Sequence, residues 1–121
     1  MSDSTSFETE ENRGVTIVSL PDSFNSAYES ELESLSGIPK LAKTVEPARL
    51  VIDLQHVKFI GSAFIGFLIS LSSQLQGRPS GRLAISGVAP FIRMALEKTR
   101  SDQLLEMHEK LDDAVESLAT Y

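Results

Sequence analysis

The chain has 121 residues, enough for one domain with its own core and too few for two of ordinary size. It contains no cysteine, which rules out a disulfide framework and thiolate chemistry and fits a reducing compartment. Its net charge of −6, with no basic patch interleaved with aromatics, argues against direct nucleic-acid binding.

The charge is unevenly spread. Residues 1–46 carry nine acidic and three basic side chains, residues 47–100 two and seven, and residues 101–121 six and one. The middle of an acidic chain is therefore locally positive, which reads either as a solvated surface or as a basic rim meeting an acidic partner or a phosphate. The longest apolar run, residues 63–69, is far below the roughly 18–20 residues of a membrane span. The opening residues are polar, without the basic start and apolar core of a signal peptide. A cytoplasmic protein with no membrane span is expected.

In chain order, residues 1–6 read as a disordered N-terminus and 7–121 as a single domain. Residues 7–10 suit a weak edge strand, Asn12-Arg13-Gly14 a turn, and 15–20 a clear strand, so the two pair as a hairpin. Pro21-Asp22-Ser23 ends that strand. Phe24, Tyr28, Leu32 and Leu35 follow at helical spacing over 24–36, capped by Asn25 or Ser26 and punctuated by Gly37 and Pro39, with 41–45 extending or restarting the helix.

The stretch 49–75 organises the rest. Leu50-Val51-Ile52-Asp53-Leu54 is short, apolar and partly β-branched, the pattern of a buried strand. Val57 to Ile60 forms a second apolar piece. After Gly61, the positions Phe64, Phe67, Leu68, Leu71 and Leu75 fall on one helix face. Ser62 stands at the expected helix start, where its hydroxyl would accept a first-turn N–H and contribute about 1 kcal/mol as an N-cap. Asp53 reads as a strand-end carboxylate taking backbone N–H bonds.

Residues 77–81 are a loop by composition, 82–86 the next strand, and Gly87 a turn. Pro90 suits the first turn of a helix carrying Phe91, Ile92, Ala95 and Leu96 and ending near Lys98. Met94 and Met107 are expected in the core, and Arg93 and Glu97 form a solvated i, i+4 pair. Residues 104–107 suggest a last short strand. Leu111, Ala114, Val115 and Leu118 then form the stripe of a terminal helix. Strands alternating with helices imply an α/β fold with a mainly parallel central sheet of about four to five strands and about four helices.

Several of these residues carry a resemblance. The chain resembles the STAS domain family, whose single-domain bacterial members are anti-sigma factor antagonists. The family motif is an apolar strand ending in Asp-Leu, then Phe-Ile/Met-Asp-Ser-Ser-Gly-Leu-Gly entering a helix. Val51-Ile52-Asp53-Leu54 and Phe59-Ile60 match its start. Gly61 then stands in place of the motif Asp, Ser62 in place of the phosphorylated Ser, Ala63 of the second Ser and Phe64 of Gly, while Ile65-Gly66 matches Leu-Gly. Leu83-Ala84-Ile85-Ser86-Gly87-Val88-Ala89-Pro90 resembles the family's strand into a Pro-headed helix, and 114–118 its last helix. Where the family commonly has Gly-Leu, this chain has Arg100-Ser101, so its third helix is expected to close differently.

The resemblance implies a regulatory binding module that binds an anti-sigma factor or serine protein kinase and is controlled by phosphorylation at Ser62. Gly61, Ser62, Ala63, Phe64, Gly66 and Asp53 would meet the partner. It equally admits a non-phosphorylated STAS subunit of a larger complex such as a membrane transport system. Dimerisation stays open. Neither cofactor nor metal is expected: His56 and His108 lack metal spacing, and no P-loop, GxGxxG, HExxH or GxSxG motif is present, so no catalysis is expected.

Overall fold

The computed structural model describes residues 7–20, 26–27 and 35–120. The disordered start expected over 1–6 lies outside the described residues, and so does most of the helix expected over 24–36; where that segment is described, Ser26–Ala27 is a short strand rather than helix, and Leu35 is buried. In chain order the elements are β1 (Glu8–Asn12), β2 (Val15–Ser19), β3 (Ser26–Ala27), α1 (Gly37–Thr44), β4 (Arg49–Asp53), β5 (Phe59–Ile60), α2 (Ser62–Gln76), β6 (Arg82–Ser86), α3 (Pro90–Lys98), a 3-10 turn (Ser101–Gln103), β7 (Glu106–Met107) and α4 (Leu111–Leu118).

One five-stranded sheet runs in the order β1-β2-β4-β6-β7. The expected hairpin forms, with β1 antiparallel to β2 from Glu8↔Ser19 to Asn12↔Val15. Its two turn residues, Arg13 and Gly14, both take positive φ, 55° and 83°, which matches the twist of a two-residue hairpin. The C-terminus closes on this turn, where Thr120 donates its backbone N–H to the Arg13 carbonyl at 3.0 Å. A Cβ on Gly14 would fall 1.9 Å from Thr120 Oγ1, so any other residue would have to displace that side chain and hold a φ of 83°. All other pairings in the sheet are parallel. A separate parallel pair, β3 with β5, sets Ala27 opposite Ile60.

Leu50 and Ile52 of β4 enter one core with α1, α2 and α3, whereas Val51 of the same strand enters a second core with Ala114, Val115 and Leu118 of α4. A parallel strand covered on both faces reads as a continuous apolar run, here Leu50-Val51-Ile52, and the charge comes only at its exit with Asp53. Helix α2 follows its expected stripe: Phe64, Leu68, Leu71 and Leu75 are buried and Phe67 packs against the core edge.

Several boundaries differ from the sequence reading. Helix α1 begins at Gly37 rather than ending there, and Pro39 falls in its first turn, where the missing N–H would have no helical acceptor. The last strand is only Glu106–Met107, because Leu104 and Leu105 turn and bend the chain out of the 3-10 turn at Ser101–Gln103. Met94 is 51% exposed rather than in the core, while Met107 packs against the core as expected. At the end of α3, Arg100 itself takes the left-handed conformation, φ 59° and ψ 18°, and donates its N–H to Glu97 O at 3.1 Å. The helix therefore closes with glycine-like geometry on a non-glycine residue.

Three of the seven basic residues of the middle segment, Arg49, Arg78 and Arg82, are committed to contacts within the fold. Arg78 donates to Ala42 O and Val45 O at 2.9 and 2.7 Å and pairs with Glu46, clamping the end of α1. Arg49 donates to Leu118 O and Arg82 to Ser117 O, at 3.1 and 3.3 Å, so two strand-start arginines hold the carbonyl end of α4. Arg82 also pairs with Glu106, whose other oxygen bonds Ser117 Oγ and His108 Nε2. Burial alone would raise the Glu106 carboxyl, but hydrogen bonds from His108, Ser117 and Arg82 and the arginine charge hold it below its ordinary value.

Two outcomes follow from these geometries. Arg100→Gly removes the strain of a left-handed arginine and raises stability by about 1 kcal/mol, read as a higher urea midpoint at unchanged slope. Because the folded pKa of Glu106 is depressed, its stabilisation is present above the ordinary carboxylate value of 4.5 and fades as pH falls through the lower folded value. Glu106→Gln accordingly destabilises by about 1 kcal/mol at pH 7, and urea titrations of the two proteins converge in acid below that value.

Candidate functional site

Strand β5 delivers the chain directly into α2 through Gly61. The N-cap of α2 is Gly61, with φ −107° and ψ 172°, and no side chain caps the helix. Ser62 is therefore not the N-cap the sequence suggested but the first helical residue. The Gly61 carbonyl accepts Phe64 N–H and Ile65 N–H at 3.1 and 3.2 Å. The shift of one position matters for the hydroxyl. An N-cap side chain turns back onto the helix, whereas a first-turn residue with nothing to cap leaves its hydroxyl to solvent. Ser62 is exposed.

Around it the expected contact residues divide into two sets. Gly61 and Ala63 are half-buried and Gly66, one turn on, is exposed; a Cβ built on Gly66 meets nothing within 4 Å, so the surface there is open. Phe64 is wholly buried at 0% exposure and stacks on Phe67 with ring centroids 5.9 Å apart, which corrects its assignment as a contact residue. It stands where the family motif has glycine and fills the core beneath the turn instead.

Asp53 is corrected likewise. It is 4% exposed at the end of β4, and its carboxylate accepts Gln55 N at 3.3 Å, Gln55 Nε2 at 2.9 Å and Ser86 Oγ at 3.2 Å. It pins the β4 exit to the end of β6, and its partners do not include Ser62. Its backbone N–H role is as the sequence suggested; its partner-facing role is not. A shallow polar hollow beside it, lined by Asp53, Gln55, Gly87 and the start of α4, carries acidic side chains. Among the described residues no group of three or more His, Asp or Glu is placed to hold a metal ion. His108 is engaged with Glu106.

Sequence reasoning missed three exposed apolar side chains on β5 and α3, Phe59, Phe91 and Met94. The signal was available in α3. Its apolar residues Phe91, Ile92, Met94, Ala95 and Leu96 are too many for one face. Ile92 and Leu96 take the core, which leaves Phe91 and Met94 on a second stripe outside.

No helix among the described residues is long and apolar enough to cross a membrane. The fold is shared with solved structures. An anti-sigma-factor antagonist (STAS) domain protein from Planctomyces limnophilus is 25% identical, with a TM-score of 0.85 over 95% of this chain and 98% of its own. An anti-sigma factor antagonist from Mycobacterium paratuberculosis is 25% identical, with a TM-score of 0.78 over 93% of this chain and 92% of its own. A sulfate transporter family protein from Wolinella succinogenes shares the fold at 17% identity, with a TM-score of 0.71 over 87% of this chain and 84% of its own. Comparison with curated protein sequences gives no match. The STAS domain family model matches residues 6–114, nearly the whole described chain, and the protein belongs to the STAS domain family.

Proposed function

We propose that this protein is an anti-sigma factor antagonist-like binding module, whose contact with an anti-sigma factor or serine protein kinase is released by phosphorylation of Ser62. The observation that carries the reading is the exposed Ser62 at the first position of a 15-residue helix, in the motif place of the phosphorylated serine.

The physics of the site suits the modification. A phosphate on Ser62 adds a charge of about −1.5 to −2 and three acceptor oxygens. It arrives at the positive end of the helix dipole, beside first-turn N–H groups that the helix itself does not use. Gly61 in place of the motif Asp removes a like charge from the phosphate's neighbour. The domain therefore tolerates the modified state, and the change is felt by whatever docks there, an acidic or apolar partner surface now facing a dianion. The protein performs no chemistry of its own in this reading; the phosphoryl transfer belongs to the partner.

A second reading, a STAS subunit of a larger complex such as a membrane transport system, is favoured by the loss of both the motif Asp and the second Ser, at Gly61 and Ala63. It predicts stable co-purification with the complex and no modification of Ser62.

Intact-mass measurement after incubation with serine kinases encoded beside the gene separates the two. The switch reading gives a gain of about 80 Da that Ser62→Ala abolishes. Ser62→Asp then weakens binding of the partner at least about tenfold, while Ser62→Ala binds as the wild type does. An unchanged mass with a kinase that binds the protein would sink the phosphoswitch. Because Ser62 makes no cap bond, Ser62→Ala also shifts folding stability by less than about 0.5 kcal/mol in urea denaturation, where loss of an N-cap serine would cost about 1.

A further inference from the structure

Beyond the helix start, β5 and α3 leave an open apolar groove of about 540 Å³ lined by Lys58, Phe59, Ala89, Pro90, Phe91 and Met94. Phe59 is 45%, Phe91 61% and Met94 51% exposed, and the two rings meet edge to face with centroids 5.6 Å apart. An adjoining hollow of about 170 Å³ continues along α3 to Lys98. In a chain of net charge −6, the charged residues that line these hollows are two lysines, Lys58 and Lys98, and no carboxylate.

We infer that this groove is the docking surface for a partner protein, which enters it with a short helical segment bearing large apolar side chains flanked by Asp or Glu. The inference rests on the Ser62-regulated binding reading and names the recognition surface and the chemistry of the partner for it. Phe91, Met94 and Lys98 stand at i, i+3 and i+7 of α3, one helix face, which is the spacing that a second amphipathic helix meets when it lies in a groove. The apolar side chains supply burial, and the lysines select carboxylates at its rim.

Other occupants fit less well. Two copies meeting groove to groove would bring four lysines and no carboxylate from the grooves into one interface. An anionic membrane would gain only two lysines against a net charge of −6. The groove also explains how Ser62 could govern it. Phe59 lies three residues before Ser62, so a phosphate there brings a dianion to the end of the groove, where it opposes an acid-flanked segment and competes for the lysines.

The test uses the unmodified full chain and two synthetic amphipathic helical peptides with the same apolar pair, one flanked by Glu and one by Lys. The Glu peptide should shift the Met94 methyl and the Phe59 and Phe91 ring signals in NMR titration, and bind at least about tenfold tighter than the Lys peptide. Lys58→Glu with Lys98→Glu should reverse that preference, and Ser62→Asp should weaken the Glu peptide. Equal binding of the two peptides, shifts confined to other surfaces, or no shift in the groove overturns the inference. So does self-association of the free protein that buries Phe91, or tighter binding to phosphatidylserine vesicles than to the Glu peptide. Since no phosphate is involved in the peptide titration, its failure leaves the mass test of Ser62 standing, and an unmodified Ser62 leaves the groove measurement standing.

Discussion

Leu50 and Ile52 face one core while Val51, between them, faces another, and this two-sided enclosure of β4 dictates the rest of the architecture. A strand buried on both faces needs a helix layer on each side and parallel neighbours reached by crossovers. On one face, among the described residues, α1, α2 and α3 share the task. On the other, within the described residues, α4 does it with Ala114, Val115 and Leu118. A helix of eight residues is too short to be stable by itself, so its seat must be reinforced from the sheet. Arg49 and Arg82, at the starts of β4 and β6, reach its terminal carbonyls, and Thr120 just beyond it fastens to the hairpin turn.

That arrangement revises the meaning of the positive middle segment. Counted along the sequence, seven basic residues suggest an electrostatic face. In the fold, Arg49, Arg78 and Arg82 are each committed to the carbonyl end of a helix or to a neighbouring glutamate. Helix C-termini carry partial negative charge and unmatched acceptors, and an arginine fork satisfies both at once. Charge counting could not tell a clamp from a rim, because the distinction depends on which helix ends the crossovers bring over the strand starts. Of the four other basic residues, Lys58 and Lys98 line an open hollow beside Phe59 and Phe91.

What was legible in the sequence was whatever depends on period and on local turn chemistry. The hairpin at Asn12-Arg13-Gly14, the apolar run at 50–54, the stripe from Phe64 to Leu75 and the Pro90 helix start all appear where the pattern put them. What was not legible depends on single-residue register or on crowding. One position separates an N-cap from a first-turn residue, and the strand before Gly61 decides which of the two Ser62 is. Arg100 was expected to force a different helix closure; the backbone adopts the left-handed turn regardless, because Ser101 is buried behind it and Thr99 Oγ1 meets Ser101 Oγ at 2.8 Å. For Phe64 the two readings diverged: helical spacing put it in the core and the motif place of glycine put it at the surface, and the space under the turn accepts its ring beside Phe67, as the spacing had it.

The candidate site is therefore split between a buried frame and an exposed surface, and the two need each other. Phe64 and Ile65 anchor the first turn of α2 from below, while Asp53, Gln55 and Ser86 lock the chain as it leaves β4. A helix start fixed in this way cannot retreat when charge is added to it. Any phosphate on Ser62 would have to be accommodated outward, on the side where Gly66 leaves open space and where β5 leads back to Phe59. Rigidity beneath the turn is what would convert a local electrostatic change into a change at the docking surface, with no rearrangement of the fold in between.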